Sequence, residues 1–235
     1  MKKLVLSSLM TVLVSQAAGC VISSGEEDAR ITAQWSLKSL ADNAAIPYPP
    51  GTTTAAVYSQ EVDASFRPIG QPIIDLFDVE DNAGTTAALP PSVYQVWVEL
   101  TSEGGSNVFA RSLSAYVDVI DTDKTFTTTI LEDGGYFQLS WNLVDAGGAP
   151  ASCSVTNGVG VLSTLTGPNT FRDDKFDCED GGGITAGLLN GTYTVEVSAL
   201  GPDDGSIGDA PLMDAKVIGD RNQVTDLGTT TITLF

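Results

Sequence analysis

The groups here that could do chemistry by type and spacing are thiols and carboxylates, because the chain contains no histidine. That absence removes Ser-His-Asp and Cys-His nucleophilic sites and every His-ligated zinc or copper site. Carboxylate pairs of the kind that cleave glycosides remain open in principle. With 30 Asp and Glu residues, however, two neighbouring carboxylates carry little information. The expectation is a protein that is not an enzyme. Two acidic phrases stand out, "FDVEDNAG" from Phe77 and "FDCEDGGG" from Phe176. They put Asp78, Glu80 and Asp81 in one loop and Asp177, Glu179 and Asp180 in another, with Asp173 and Asp174 close to the second. Calcium takes six to eight oxygens, and clustered loop carboxylates are its usual source. EF-hand spacing is missing and Lys175 interrupts the second run, so these six residues are weak calcium candidates. Solvated turn residues are the favoured account, and no other cofactor is indicated.

The two phrases belong to a longer internal repeat. "FDVEDNAGTTAALPPSVYQVWVEL" (77–100) aligns without a gap with "FDCEDGGGITAGLLNGTYTVEVSAL" (176–200) through Val98 and Val197. Upstream, "ITAQWSL" matches "FQLSWNL", pairing Trp35 with Trp141, and "TTTIL" (127–131) matches "TTTITL" near the C-terminus. A repeat of this length predicts two tandem modules, 29–131 and 136–235, each large enough for its own core. The connection, 132–135, reads "EDGG", too short to let the modules swing freely.

The elements that must position these residues read as strands. Ile31, Ala33, Trp35 and Leu37 alternate with polar residues, as do Phe137, Leu139, Trp141 and Leu143, which buries both tryptophans. Glycine, proline and asparagine clusters break the rest at short intervals, and no helical period is sustained. The class is all-β, two tandem Greek-key β-sandwiches. In "YQVWVEL", Tyr94, Val96 and Val98 take the core face, which leaves Gln95, Trp97 and Glu99 on the solvent face; the second copy has Glu196 opposite Trp97. A tryptophan there is either a contact for a sugar or protein, or is covered by a first-module loop or by the second module. Trp97 is the candidate contact residue.

The N-terminus carries an address. Lys2 and Lys3 precede an apolar run of 11 residues, Leu4–Val14, too short to span a bilayer and suited to a signal-peptide core. "SQAAGC" follows, and the stretch resembles the lipobox of bacterial lipoproteins, with Ala17 where the pattern prefers Leu. The resemblance implies a signal peptide over 1–19, lipidation of Cys20, and a polar tether, 20–28, holding the chain to a membrane through acyl chains. The alternative is an ordinary cleaved signal with an incidental cysteine. The expected location is the bacterial cell envelope, periplasmic or surface-exposed. A formal charge of −19 argues against nucleic acid as a partner.

With Cys20 assigned to lipid, Cys153 and Cys178 are the remaining thiols of an exported chain. Both fall in the second module, and aligning "TTAAVYS" (53–59) with "NGVGVLS" (157–163) puts Pro49 and Val79 at their places in the first. Joint absence is what a bonded pair predicts, so a Cys153–Cys178 disulfide is expected; two separate core thiols are the alternative.

"LPPSVY" and "LLNGTY" each set a leucine five residues before a tyrosine that opens an alternating strand. This resembles the tyrosine corner of Greek-key sandwiches. The phrase at 188–197 also resembles the signature strand of carboxypeptidase-regulatory-like and Cna-B-like modules, which are immunoglobulin-like or prealbumin-like sandwiches of bacterial surface proteins. The Lys–Asn isopeptide bond of some such modules is not expected, since Lys38 lies on the polar phase of its strand. The resemblance implies a non-catalytic binding or structural role in the envelope. Alternatives are a carbohydrate-binding surface lipoprotein and an accessory module of an envelope enzyme complex. The partner would be an envelope protein or glycan.

Overall fold

The computed structural model describes residues 28–235 except Ser106, Asp121 and Asn169. The expected signal peptide, Cys20 and nearly all of the tether lie outside the described residues.

Alternating apolar residues and frequent turn formers give strands almost throughout. The first half contains β1 (Ile31–Ser39), β2 (Ala44–Ala45), β3 (Thr54–Glu61), β4 (Ile73–Asp78), β5 (Ala83–Thr85), β6 (Val93–Thr101), β7 (Val108–Arg111), β8 (Ala115–Asp118) and β9 (Lys124–Leu131). The second half contains β10 (Gly134–Val144), β11 (Pro150–Ala151), β12 (Gly160–Gly167), β13 (Thr170–Asp177), β14 (Gly182–Ile184), β15 (Leu188–Leu189), β16 (Gly191–Leu200), β17 (Ser206–Asp209), β18 (Met213–Ile218) and β19 (Gln223–Leu234). Among the described residues one α-helical turn, α1 (Cys153–Thr156), and short 3-10 turns at Val79–Asp81, Glu103–Gly105 and Cys178–Asp180 interrupt the strands.

In the first half, β1 holds β2 and β5 antiparallel and β9 parallel, and faces a sheet ordered β4-β3-β6 with β7 and β8 beyond β6. The path is a Greek key: after the β3–β4 hairpin the chain visits β5 in the opposite sheet and returns with β6 beside β3. Ile31, Trp35 and Leu37 of β1, Val57 of β3, Tyr94, Val96 and Val98 of β6, and Ile130 of β9 meet in one buried cluster. The second half repeats the plan, with β10 parallel to β19 and β12 between β13 and β16. Phe137, Leu139 and Trp141 pack there against Val161, Leu165, Tyr193, Val195 and Ile232. A short β17–β19 ladder joins its two sheets at one edge.

The same side-chain bonds recur in both halves. The Trp35 indole donates to the Val79 carbonyl at 3.0 Å, and that of Trp141 to the Cys178 carbonyl at 3.1 Å. Tyr94 donates to the Pro90 carbonyl and Tyr193 to the Leu189 carbonyl, the tyrosine-corner geometry, and burial raises both phenols above their ordinary pKa. The Thr86 and Thr185 hydroxyls accept from the amides of Ile31 and Phe137. Each bond ties a side chain of the core to the backbone of a neighbouring segment.

Two register details correct the sequence alignment. Pairing puts Tyr58 opposite Trp97 and Thr164 opposite Glu196, so Tyr58 corresponds to Thr164, two residues away from the sequence match. The counterpart of Cys153 moves off Pro49 as well: the register carried back from β3 and β12 gives Pro47, and that carried forward from β2 and β11 gives Tyr48. The sequence match failed because β3 and β12 carry no shared side-chain signature. Gly134 and Gly135, expected in the connection, are instead the first residues of β10. A Cβ on Gly134 would sit 2.2 Å from the Leu188 carbonyl oxygen, and one on Gly135 2.1 Å from that of Gln223. These glycines serve close backbone approach.

Candidate functional site

Three places could carry function: the outer face of the β3–β6 sheet, the cleft between the halves, and the acidic turns.

Trp97 lies on the outer face, as the strand phase requires, but only 8 % of it is exposed. Its cover comes from neighbours in the same sheet. Tyr58 stacks on it across the β3–β6 ladder, ring centroids 4.8 Å apart and planes 8° apart. From the other side, the Arg111 guanidinium carbon lies 4.2 Å from the ring centroid. The indole donates to Glu99 at 3.2 Å, and Glu99 pairs with Arg111 at 4.0 Å. Burial and the Glu99 charge raise the Tyr58 phenol above its ordinary pKa. Trp97 thus keeps the outer phase expected of it, and of the two readings open from sequence the fold shows internal cover: a cation and an aromatic ring enclose it.

The exposed aromatics of this face are Phe66 (56 %) and Tyr116 (51 %), in contact with centroids 4.6 Å apart and planes tilted by 45°. Neither was singled out from sequence. They are 50 residues apart, and only the β6–β8 register and the fold of the β3–β4 loop bring them together.

A cleft of about 510 Å³ separates the halves, lined by Arg111, Leu113 and Ser114 on one side and Ile184, Arg221 and Val224 on the other. Its floor is the junction. Asn222, 3 % exposed, donates to the Arg111 carbonyl at 2.8 Å and accepts from the Leu131 amide at 2.7 Å. The Arg221 and Asn222 amides donate to the carbonyls of Glu132 and Gly134, and the Arg221 guanidinium covers the Phe109 ring at 4.9 Å. On the opposite side, Asp133 accepts from the Leu40 and Ala41 amides and the Ser39 hydroxyl. Burial alone would raise the Asp133 carboxyl; these hydrogen bonds together outweigh it and hold the group below the usual carboxylate range.

The acidic turns are capped 3-10 turns. Asp78 accepts from the Glu80 amide and Asp177 from the Glu179 amide, each at 3.0 Å. Glu80, Asp81, Glu179 and Asp180 point into solvent. Among the described residues, no three His, Cys, Asp or Glu side chains converge as a metal-ligand set. The second turn is stapled: Cys178 is bonded to Cys153, with Cα atoms 5.9 Å apart. In the first half Val79 is buried at this place, and the Tyr48 hydroxyl bonds the Asn82 side chain at 2.6 Å.

No protein-family model and no curated protein matches the chain. Among solved structures, a leucine-rich repeat protein from Bacteroides thetaiotaomicron superposes with TM-score 0.44 at 11% identity, over 89% of this chain and 27% of that one. The minor pilin of Streptococcus agalactiae gives TM-score 0.33 at 13% identity, covering 88% and 96% of the two chains. The pilus adhesin SpaC of Lactobacillus rhamnosus GG in its open conformation gives 0.24 at 14%, covering 86% and 31%. The chain thus spans about a quarter of the first of these proteins. The sandwich assignment rests on the strand pairing and the buried cores.

Proposed function

We propose that the chain is a lipid-anchored protein of the bacterial cell envelope, in which two tandem β-sandwich modules, 29–131 and 136–235, form a stiff, non-catalytic arm. The arm holds a binding surface at a set distance and orientation from the membrane. The observation that carries this reading is the junction. Asn222 and Asp133 together engage the β1–β2 turn, Arg111, Leu131 and the connecting segment, and a swinging linker would break these bonds and leave the buried Leu131 amide without this partner. Anchoring is supported by Lys2 and Lys3, the short apolar run after them and "AAGC" ending at Cys20.

The anchor is tested by replacing Cys20 with alanine and following processing in a bacterial host. The variant should accumulate as uncleaved precursor and incorporate no labelled fatty acid. Normal maturation with unchanged membrane association would contradict the anchor. A second reading, carbohydrate binding, is favoured by the aromatic side chains gathered on the outer β3–β6 face, where the same face of the second half carries Phe171 without a second ring against it.

A further inference from the structure

The two halves differ most at the β3–β4 hairpin. Asp78 lies opposite Thr54, 24 residues on, while Asp177 lies opposite Gly160, 17 residues on. The first hairpin therefore carries seven more residues than its copy. In the second half, β12 and β13 stay paired up to Gly167 and Thr170, whereas in the first the ladder ends at Ser59 and Ile73 and a loop takes over. Insertions in one copy of a repeat collect on the face that does something its partner does not.

The loop is built to hold one side chain. Phe66 has φ +59°, a left-handed backbone that a bulky aromatic residue rarely adopts. Asp63 enforces it: its carboxylate accepts from the Ser65 amide at 2.8 Å, the Arg67 amide at 2.9 Å and the Arg67 guanidinium at 3.1 Å. The Phe66 amide donates to the Asp63 carbonyl at 2.8 Å, and Val62 pairs with Pro68 below. Local strain persists where the surroundings over-determine it, and it gathers at ligand sites. What this strain achieves is an aromatic ring standing in water against Tyr116. Burial cannot be the reward, because both rings are more than half exposed.

The surroundings indicate the kind of ligand. Gln60 and Gln95 separate the pair from the Tyr58–Trp97 stack, and Ser65, Arg67, Ser114 and Asp118, all exposed, neighbour the two rings in the chain. Two half-exposed rings offer roughly 200 Å² of aromatic surface, far short of the roughly 800 Å² per partner that a stable protein interface buries. Small aromatic platforms ringed by polar groups fit a ligand with one C–H face and a hydroxyl rim. On the second half the same face carries Thr164, Thr166, Thr194 and Glu196 with one exposed aromatic ring, Phe171, opposite Thr166, and no second ring lies against it among the described residues.

We propose that Phe66 and Tyr116 form a carbohydrate-binding platform, on which a pyranose ring of an oligosaccharide stacks its C–H face. This rests on the reading of the chain as a non-catalytic binding arm and names its ligand class. The platform is separate from Trp97, whose ring is closed off by Arg111 and Tyr58.

The experiment uses the oxidised mature chain and four probes: hexasaccharides of β-1,4-linked N-acetylglucosamine, β-1,4-linked glucose and α-1,4-linked glucose, and soluble dextran. Binding is read by saturation-transfer NMR and titration. At least one probe should bind, and Phe66→Gly and Tyr116→Ala should each weaken it tenfold or more. Phe66→Gly suits the left-handed backbone, so it removes the ring without threatening the fold. Asp63→Ala, which leaves both rings but frees the loop, should also weaken binding, while Phe171→Ala on the second half should not. Failure of all four probes to bind, binding that survives Phe66→Gly, or site-specific crosslinking at position 66 that yields protein and no glycan would overturn the platform and leave the arm intact. Release of new reducing ends from a bound probe would instead overturn the non-catalytic reading.

Discussion

Asn222 binds two strands of the other half of the chain at once, donating to the Arg111 carbonyl and accepting from the Leu131 amide. Its backbone is left-handed, φ +63°, in the turn between β18 and β19. Asn222→Gly therefore keeps the backbone comfortable while deleting both side-chain bonds. The loss should be about 1–3 kcal/mol, the cost of leaving buried polar groups unpaired. Urea denaturation of the purified chain measures it.

Trp97→Ala should destabilise the first half by about 3–5 kcal/mol, as expected for truncating a buried aromatic residue. A freely exposed tryptophan would cost no more than about 0.5 kcal/mol. Arg111→Ala should cost less and should raise the solvent accessibility of the indole, read as a red shift in emission and stronger acrylamide quenching.

Reduction of Cys153–Cys178 should weaken the second half by roughly 3 kcal/mol, the chain-entropy value for cysteines 25 residues apart. Hydrogen exchange with and without reductant locates the effect. Protection should fall at β12 and β16 and hold at β3 and β6.

The junction should loosen in acid. Folding lowers the Asp133 carboxyl below its ordinary value, so its stabilisation is fully present above about pH 4 and is lost as the pH falls through the lowered value. Asp133→Asn should accordingly be less stable than the parent chain at neutral pH. The gap between their melting temperatures should narrow steadily below the carboxylate range.

Much of the fold was legible in the sequence, because period-two alternation and the repeated Leu-to-Tyr spacing are local signals. Trp35, Trp141, Tyr94 and Tyr193 all sit where those signals put them. The Cys153–Cys178 bond was legible through comparison of the copies. The cover of Trp97 was not, since phase gives the face of a strand but not what a cross-strand arginine does over it. Phe66 was hidden for another reason. It lies in an insertion with no counterpart to align, and its partner Tyr116 arrives through β8. Asn222 was not singled out, because in sequence nothing marks it off from other turn residues, and only the packing of the halves gives its side chain two partners in the other half.

The central claim, a stiff two-module arm, is tested most directly by electron–electron spin distance measurement across the junction. Spin labels go on Ala88→Cys in the first half and Ala146→Cys in the second, both exposed, with the native disulfide left oxidised. The account predicts one narrow distance distribution for the otherwise unchanged chain and a broad one when Asn222→Gly is added. A broad or multimodal distribution in the chain with Asn222 intact would contradict it.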